Sequence, residues 1–236
     1  SANVLNQIFE IETDRLMERT ANRPLVTGEI NKKSAYVYSI SLGFVGFLVL
    51  YTQTTELAAF IALSANIFYS FIYTLVLKPR TNQNIVIGGA AGAAPVLIGW
   101  SATGTNLDTG SWLLFLLVFL WTPAHFWALS IDKLNDYKDA NFPMLPTQES
   151  YKRTSIFIGI YSCATVLTSL LLAPILQLGM VYLLLSLIFG LYLMYKSYQL
   201  YRKQIKAISY FVFSNTYLAV IFLSMVADIF ITLSSI

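Results

Sequence analysis

SWLLFLLVFLWTPAHFWALSI, residues 111–131, contains no Asp, Glu, Lys or Arg, and it stops at Asp132 and Lys133. A bilayer hydrocarbon core of about 30 Å needs roughly 20 residues of helix, so the run reads as one membrane crossing with a charged end. Six further runs share this character, at about 34–52, 56–77, 85–102, 154–173, 178–196 and 209–231, and a partial helix, about 1–17, precedes them. Composition agrees. Of 236 residues, 56% are hydrophobic and 11% are charged, and the mean hydropathy is +0.63. Soluble domains carry about 25% charged residues, so an ordinary soluble domain is excluded. The single cysteine, Cys163, lies in an apolar run and permits no disulfide framework. Within 85–102, GGAAGAAP (88–95) is expected to make a tight helix–helix contact, because small residues let membrane helices approach closely.

The connections alternate in charge. Arg15, Arg19, Arg23, Lys32 and Lys33 precede the first span; Lys78 and Arg80 follow the second; Lys133, Lys138, Lys152 and Arg153 follow the fourth; Lys196, Arg202, Lys203 and Lys206 follow the sixth. The connections at 52–56, 103–110 and 174–178 and the C-terminus carry none. All fifteen bases therefore share one side, with nine of the twelve acids. That side is cytoplasmic, or the matrix or stroma of an organelle. The chain opens inside a helical pattern with no initiator Met, so we expect one transmembrane domain over 1–236 that lacks an N-terminal piece. Counting back through the alternation gives nine helices in the intact protein and about eight here.

Two carboxylate clusters lie on this charged side. Asn6, Glu10 and Asp14, spaced by four, share a face of one helix, with Glu12 between them. Asp132 and Asp136 share a face if the helix 111–131 continues, and Asp139 lies beyond. A divalent cation relieves such repulsion, and Mg²⁺ takes a few carboxylates together with phosphate oxygens; the bland alternative for the first cluster is a solvated acidic helix end. Arg19, Arg23 and Lys78 are the basic partners suited to a diphosphate, whereas Lys32, Lys33 and the run Lys196–Lys206 read as headgroup anchors. His125, the only histidine, lies seven residues before Asp132 on the same face. It is read either as a bundle hydrogen bonder or as a substrate contact that ligates a haem iron or orients a water. Asp228, in the last span, is read as an outer-edge anchor without an assigned role.

NQIFEIETDRLMERTANRPL (6–25) resembles the first signature of the UbiA-type intramembrane prenyltransferases, with MERTANRPL (17–25) as its specific part. APVLIGW (94–100), WTPAHFWAL (121–129) and DYKDANFPMLP (136–146) are similar to the branch of that family that farnesylates protohaem, and Phe213, Ser214 and Asp228 form a weaker echo. The likeness runs over nearly the whole chain. It departs at Gln7 and Glu10, where Asp is usual, and at Asn135, where a base is usual and Lys133 is the substitute.

The resemblance implies an all-α, multi-span helix bundle that moves a farnesyl group from farnesyl diphosphate to a vinyl group of haem b, giving haem o. It implies Mg²⁺ on Glu10, Asp14, Asp132 and Asp136, with Asp14, Asp136 and His125 in catalysis. Asn6, Arg19, Arg23, Lys78, Lys133 and Tyr137 are the expected substrate contacts. It also implies a plasma membrane or organelle inner membrane, and hand-over of product to haem A synthase or cytochrome oxidase assembly; no nucleic-acid partner is expected. The rivals are another UbiA-type enzyme, acting on an aromatic quinone precursor or a chlorophyllide, and a secondary transporter. Transporters hold coupling ions near the midplane, whereas the acids here gather at one face.

Overall fold

A computed structural model describes residues 1–234, with side chains through Ile231; the last residues of the base-free C-terminus lie outside the described residues. Every described element is helical. The helices are α1 (Ala2–Phe9), α2 (Ile11–Asp14), α3 (Pro24–Thr27), α4 (Lys32–Gln53), α5 (Glu56–Ile67), α6 (Asn84–Ala102), α7 (Thr109–Asp132), α8 (Leu134–Asp139), α9 (Leu145–Gln148), α10 (Tyr151–Ile175), α11 (Met180–Tyr201) and α12 (Ala207–Ser234). A π-helical segment, Phe68–Leu77, extends α5. Seven of these helices, counting α5 with its π-helical extension, are long and apolar enough to span a bilayer, and they match the seven runs read from sequence. The protein is a multi-pass helical membrane protein.

Polar residues set where the long helices begin. Asn31 Oδ1 accepts from Ser34 N at 2.8 Å, Thr55 Oγ1 from Ala58 N at 3.1 Å and Ser150 Oγ from Arg153 N at 3.2 Å. Each satisfies an amide that the first helical turn leaves open. Short α3 starts on Pro24, whose fixed φ suits a first helical position, and ends at Gly28 with φ 84°.

The chain divides into two compact units. The first comprises Ser1–Leu107 and Lys133–Gln148. In it α5 packs on α6 and α4, and α1 packs on α4 and the π-helical segment. Thr55 also donates to Ser101 O at 3.0 Å, tying the start of α5 to the end of α6. The expected small-residue contact is made at Gly88, where an added Cβ would collide with the Tyr73 ring. Gly92 faces open space, so the contact is narrower than the motif suggested.

The second unit comprises Asp108–Asp132 and the chain from Glu149 onward. Its long helices pack in a ring, α7 on α10, α10 on α11, α11 on α12 and α12 on α7. With little hydrophobic drive between helices in lipid, small residues and interhelical hydrogen bonds supply cohesion. Ser169 is the hub: it pairs with Ser186 Oγ at 2.9 Å, accepts from Tyr217 Oη at 2.8 Å, and its carbonyl accepts from Tyr182 Oη at 2.7 Å. Asp228 is buried, and its carboxylate accepts from the amides of Gly179 and Tyr182. It caps the start of α11, which corrects the reading of Asp228 as an edge anchor.

Candidate active site

The first cluster is built on a broken helix. The expected continuous helix over 1–17 does not form: α1 ends at Phe9, and Glu10 sits at φ −104°, ψ 13° before the single turn of α2. The break leaves Asn6, Glu10 and Asp14 buried, each with its own partner. Asn6 Nδ2 donates to Thr74 Oγ1 at 3.2 Å, Lys78 Nζ donates to Glu10 Oε2 at 2.6 Å, and Arg23 Nη1 donates to Asp14 Oδ2 at 2.5 Å. Thr20 Oγ1 donates to Asp14 O at 2.8 Å, folding the MERTANRPL segment back on the acid that precedes it.

The π-helical segment delivers two of these partners. Its i→i+5 backbone pattern is visible where Lys78 N donates to Tyr73 O at 2.8 Å, and Thr74 Oγ1 donates to Tyr69 O at 2.8 Å. Widened turns of this kind recur at functional sites. Lys78 Nζ also lies 4.6 Å from the centre of the Phe142 ring, and Lys78 O accepts from Asn84 Nδ2 at 3.3 Å. Phe142 packs with Met17, Ile85, Tyr137, Ala140 and Met144 in one buried cluster. Tyr137 is therefore held against residues of both the first signature and α6.

The electrostatics of the pair of acids are unusual. Glu10 is 6% exposed and Asp14 1%. Each carboxylate spends one oxygen on a cation, while Glu10 Oε1 and Asp14 Oδ1 are sealed from solvent without a partner. A sealed, unpaired polar atom costs about 1–3 kcal/mol, more when charged, and native proteins rarely keep two without a use for them. Among the described residues no three His, Cys, Asp or Glu side chains gather closely enough to hold a metal by themselves. Two available carboxylate oxygens nevertheless suit Mg²⁺, which keeps waters and takes one or two carboxylates plus phosphate oxygens instead of an all-protein cage. The donor set thus fits a metal that arrives with a diphosphate.

The second cluster is split. α7 ends at Asp132, Lys133 lies at φ −104°, ψ 33°, and a separate α8 carries Asp136 and Tyr137. The helix does not continue, so Asp132 and Asp136 do not share a helix face. Asp132 belongs to the second unit; Lys133, Asp136 and Tyr137 belong to the first. Asp132 and Lys133 are exposed and Asp136 is half-buried. Arg19 is exposed, while Arg23 reaches Asp14.

His125 lies in the second unit, 5% exposed. Its ring stacks between Trp121 and Phe211, with centroids 4.2 Å and 4.1 Å away. Nδ1 lies 2.7 Å from Ser214 Oγ. Thr20, Thr74, Asn84 and Phe142 belong to the first site and escaped the sequence reading. Thr74 and Asn84 carried a signal, as polar residues near the ends of apolar runs.

A sequence profile described as the UbiA prenyltransferase family matches residues 1–226. The chain belongs to the UbiA prenyltransferase family. Among the relatives of this UbiA chain is a protoheme IX farnesyltransferase of Thermus thermophilus, 42% identical over 97% of this chain and 38% of that protein. The chain thus spans well under half of that relative's length. It covers 76% of the protoheme IX farnesyltransferase of Clavibacter sepedonicus, at 41% identity over 97% of its own residues. The UbiA fold is shared with a solved digeranylgeranylglyceryl phosphate synthase, at TM-score 0.77 and 22% identity over 96% of this chain and 80% of that one. It is also shared with a UbiA homologue from Archaeoglobus fulgidus bound to GPP and Mg²⁺, at TM-score 0.61 and 16% identity over 95% of this chain and 82% of that one.

Proposed function

We propose that this UbiA chain transfers a farnesyl group from farnesyl diphosphate to a vinyl group of haem b, with water, to give haem o and diphosphate. The observation that carries the reading is the pair of sealed carboxylates, each held by a base and each keeping one oxygen unpartnered. The names of the relatives supply the donor and acceptor classes, and the GPP and Mg²⁺ in the Archaeoglobus homologue support a metal–diphosphate site in the family.

Glu10 and Asp14 would hold Mg²⁺ through Oε1 and Oδ1. When bound, Mg²⁺ neutralises charge that develops on the departing diphosphate. Lys78 and Arg23 orient Glu10 and Asp14, and they offer their remaining N–H groups to diphosphate oxygens, with Arg19, Lys133, Asn6 and Tyr137 as further contacts. Preorganised donors of this kind favour departure of the leaving group. The allylic C–O bond breaks with its electron pair going to diphosphate. The vinyl π electrons form the new C–C bond, water adds to the resulting cation, and its proton leaves to solvent. His125 serves the acceptor. The charged side faces the cytoplasm or matrix, and haem o passes on to haem A synthase or to oxidase assembly.

The test is conversion of haem b in proteoliposomes supplied with farnesyl diphosphate and Mg²⁺, read by haem chromatography. We expect haem o from wild type, and its loss with a chelator and in Glu10→Ala and Asp14→Ala proteins that still insert. Unchanged haem o from both variants would remove the metal assignment. A prenylated quinone precursor or chlorophyllide without haem o would move the chain to another acceptor.

A further inference from the structure

The stretch from Ser150 to Ala227 carries Lys152, Arg153, Lys196, Arg202, Lys203 and Lys206, and no Asp or Glu. Arg153 is paired with Glu149, but Lys196 has no carboxylate partner among the described residues. Lys196 is half-buried on α11, about one and a half turns before the helix ends at Tyr201. Its Nζ donates to Ser209 Oγ on α12 at 3.3 Å and lies 5.5 Å from the centre of the Tyr192 ring. An ammonium has three N–H donors, so two remain. One turn further along, Tyr192 of α11 meets Phe213 of α12 edge-on, with centroids 4.6 Å apart, and Phe189 stacks on the same ring at 6.3 Å. Residues four apart share a helix face, so Lys196–Ser209 and Tyr192–Phe213 are successive rungs of one α11–α12 interface.

Beside these rungs lies a groove of about 540 Å³, lined by Ile188, Phe189, Leu191, Tyr192, Tyr195 and Phe213. Its volume falls within the roughly 300–1,000 Å³ of ligand pockets. It is open on one side, where Ile188, Leu191, Tyr192 and Tyr195 are exposed. The lining side chains carry no polar atom except the hydroxyls of Tyr192 and Tyr195. Tyr195 Oη accepts from Gln199 Nε2 at 3.0 Å, which leaves its own proton unspent. The groove is thus apolar along its length, with donors and an uncompensated positive charge at the end nearer Ser209. A long hydrocarbon chain joined to an anionic phosphate is complementary to that arrangement. We propose that the groove binds one anionic phospholipid, with an acyl chain against Phe189 and Phe213 and the phosphate on the free N–H groups of Lys196. Basic pockets between spans recognise lipid headgroups in this way. General attraction of a basic membrane face to headgroups treats all six bases alike, whereas a built site sets Lys196 apart from the others. The proposal is independent of the prenyl donor and of its acceptor.

The test delipidates the detergent-solubilised chain and titrates it separately with phosphatidylglycerol, phosphatidylcholine and glycerol phosphate, counting bound molecules by native mass spectrometry. We expect one phosphatidylglycerol to bind about fivefold more tightly than phosphatidylcholine, the preference that one base near an anionic headgroup confers. Glycerol phosphate, which lacks the chains, should not bind. Lys196→Gln should abolish the preference and Lys196→Arg should keep it. Lys152→Gln, which removes an exposed base from α10, should leave it unchanged. Leu191→Trp, which fills the groove from its open side, should weaken both lipids alike. Wild-type thermal unfolding certifies that each variant is folded, and Lys196→Arg keeps the comparison valid if the glutamine variant is not. Equal affinity of wild type for the two lipids would overturn the proposal. Equal losses in Lys196→Gln and Lys152→Gln would reduce the effect to surface charge and overturn the site. Lipid binding that ignores Leu191→Trp, or glycerol phosphate binding as tight as that of phosphatidylglycerol, would remove the groove from it and overturn the proposal equally.

Discussion

Lys78 and Glu10 form a pair whose two halves have different jobs. Lys78 is 15% exposed and Glu10 6%, and among the described residues the lysine holds one oxygen of a carboxylate whose other oxygen is sealed without a partner. Removing one member of a buried pair strands the other charge, at about 3 kcal/mol, whereas replacing both relieves it. Lys78→Met should therefore destabilise the solubilised protein strongly, and Glu10→Gln/Lys78→Met should recover most of the loss in thermal unfolding. The double variant should still fail to bind farnesyl diphosphate in the presence of Mg²⁺, because both the carboxylate and the base are gone. Recovery of stability together with binding would show that the pair is a structural clamp. Arg15 and Glu12 provide a contrast: their side chains are 57% and 77% exposed, and exposed pairs of this kind are worth about 0–1 kcal/mol. Arg15→Ala should leave unfolding and binding alike.

At the scale of an element, the π-helical segment Phe68–Leu77 decides which side chains reach the first signature. Its register depends on Tyr73, whose ring occupies the space that any side chain at Gly88 would need. Gly88→Ala forces ring or backbone to move, and overpacking costs about 1–3 kcal/mol. Because Thr74 lies on this segment and Lys78 caps its end, the expected result is a lower unfolding temperature together with weaker diphosphate binding. Gly92→Ala, which meets nothing within 4 Å, should change neither. Equal behaviour of the two variants would separate the segment's register from binding. The seven spans were legible because hydropathy over about 20 residues is a strong signal. The specific acids were legible because carboxylates beside apolar runs are conspicuous. Two features were not legible. Spacing by four implied a continuous helix through Glu10, but the backbone turns there so that Asn6, Glu10 and Asp14 meet Thr74, Lys78 and Arg23 separately. The widened turn that places Thr74 and Lys78 has no signature in an apolar run whose periodicity already serves lipid.

For the whole molecule, the charge pattern makes a claim about orientation that each loop can test independently. All fifteen Lys and Arg fall in alternate connections, and retention of basic loops on the side of synthesis sets the orientation of the spans. Cys163 is the sole cysteine, so Cys163→Ala gives a background in which single cysteines report position. Thr54→Cys, Thr105→Cys and Gln177→Cys lie in base-free connections; Thr81→Cys, Glu149→Cys and Gln204→Cys lie in or beside basic ones. In intact cells the first three should react with a membrane-impermeant maleimide, and the second three should react only after permeabilisation. The same experiment bears on chemistry. Glu10 and Asp14 precede the basic segment that leads into α4, and Lys78 follows the span that ends beside Thr81. Cytoplasmic shielding of Thr81→Cys would therefore place the carboxylate pair on the side where a soluble, charged diphosphate ester is available. Labelling of Thr81→Cys from outside would put the pair on the opposite side from that donor, and the metal–diphosphate reading would have to be abandoned even if every helix were correctly placed.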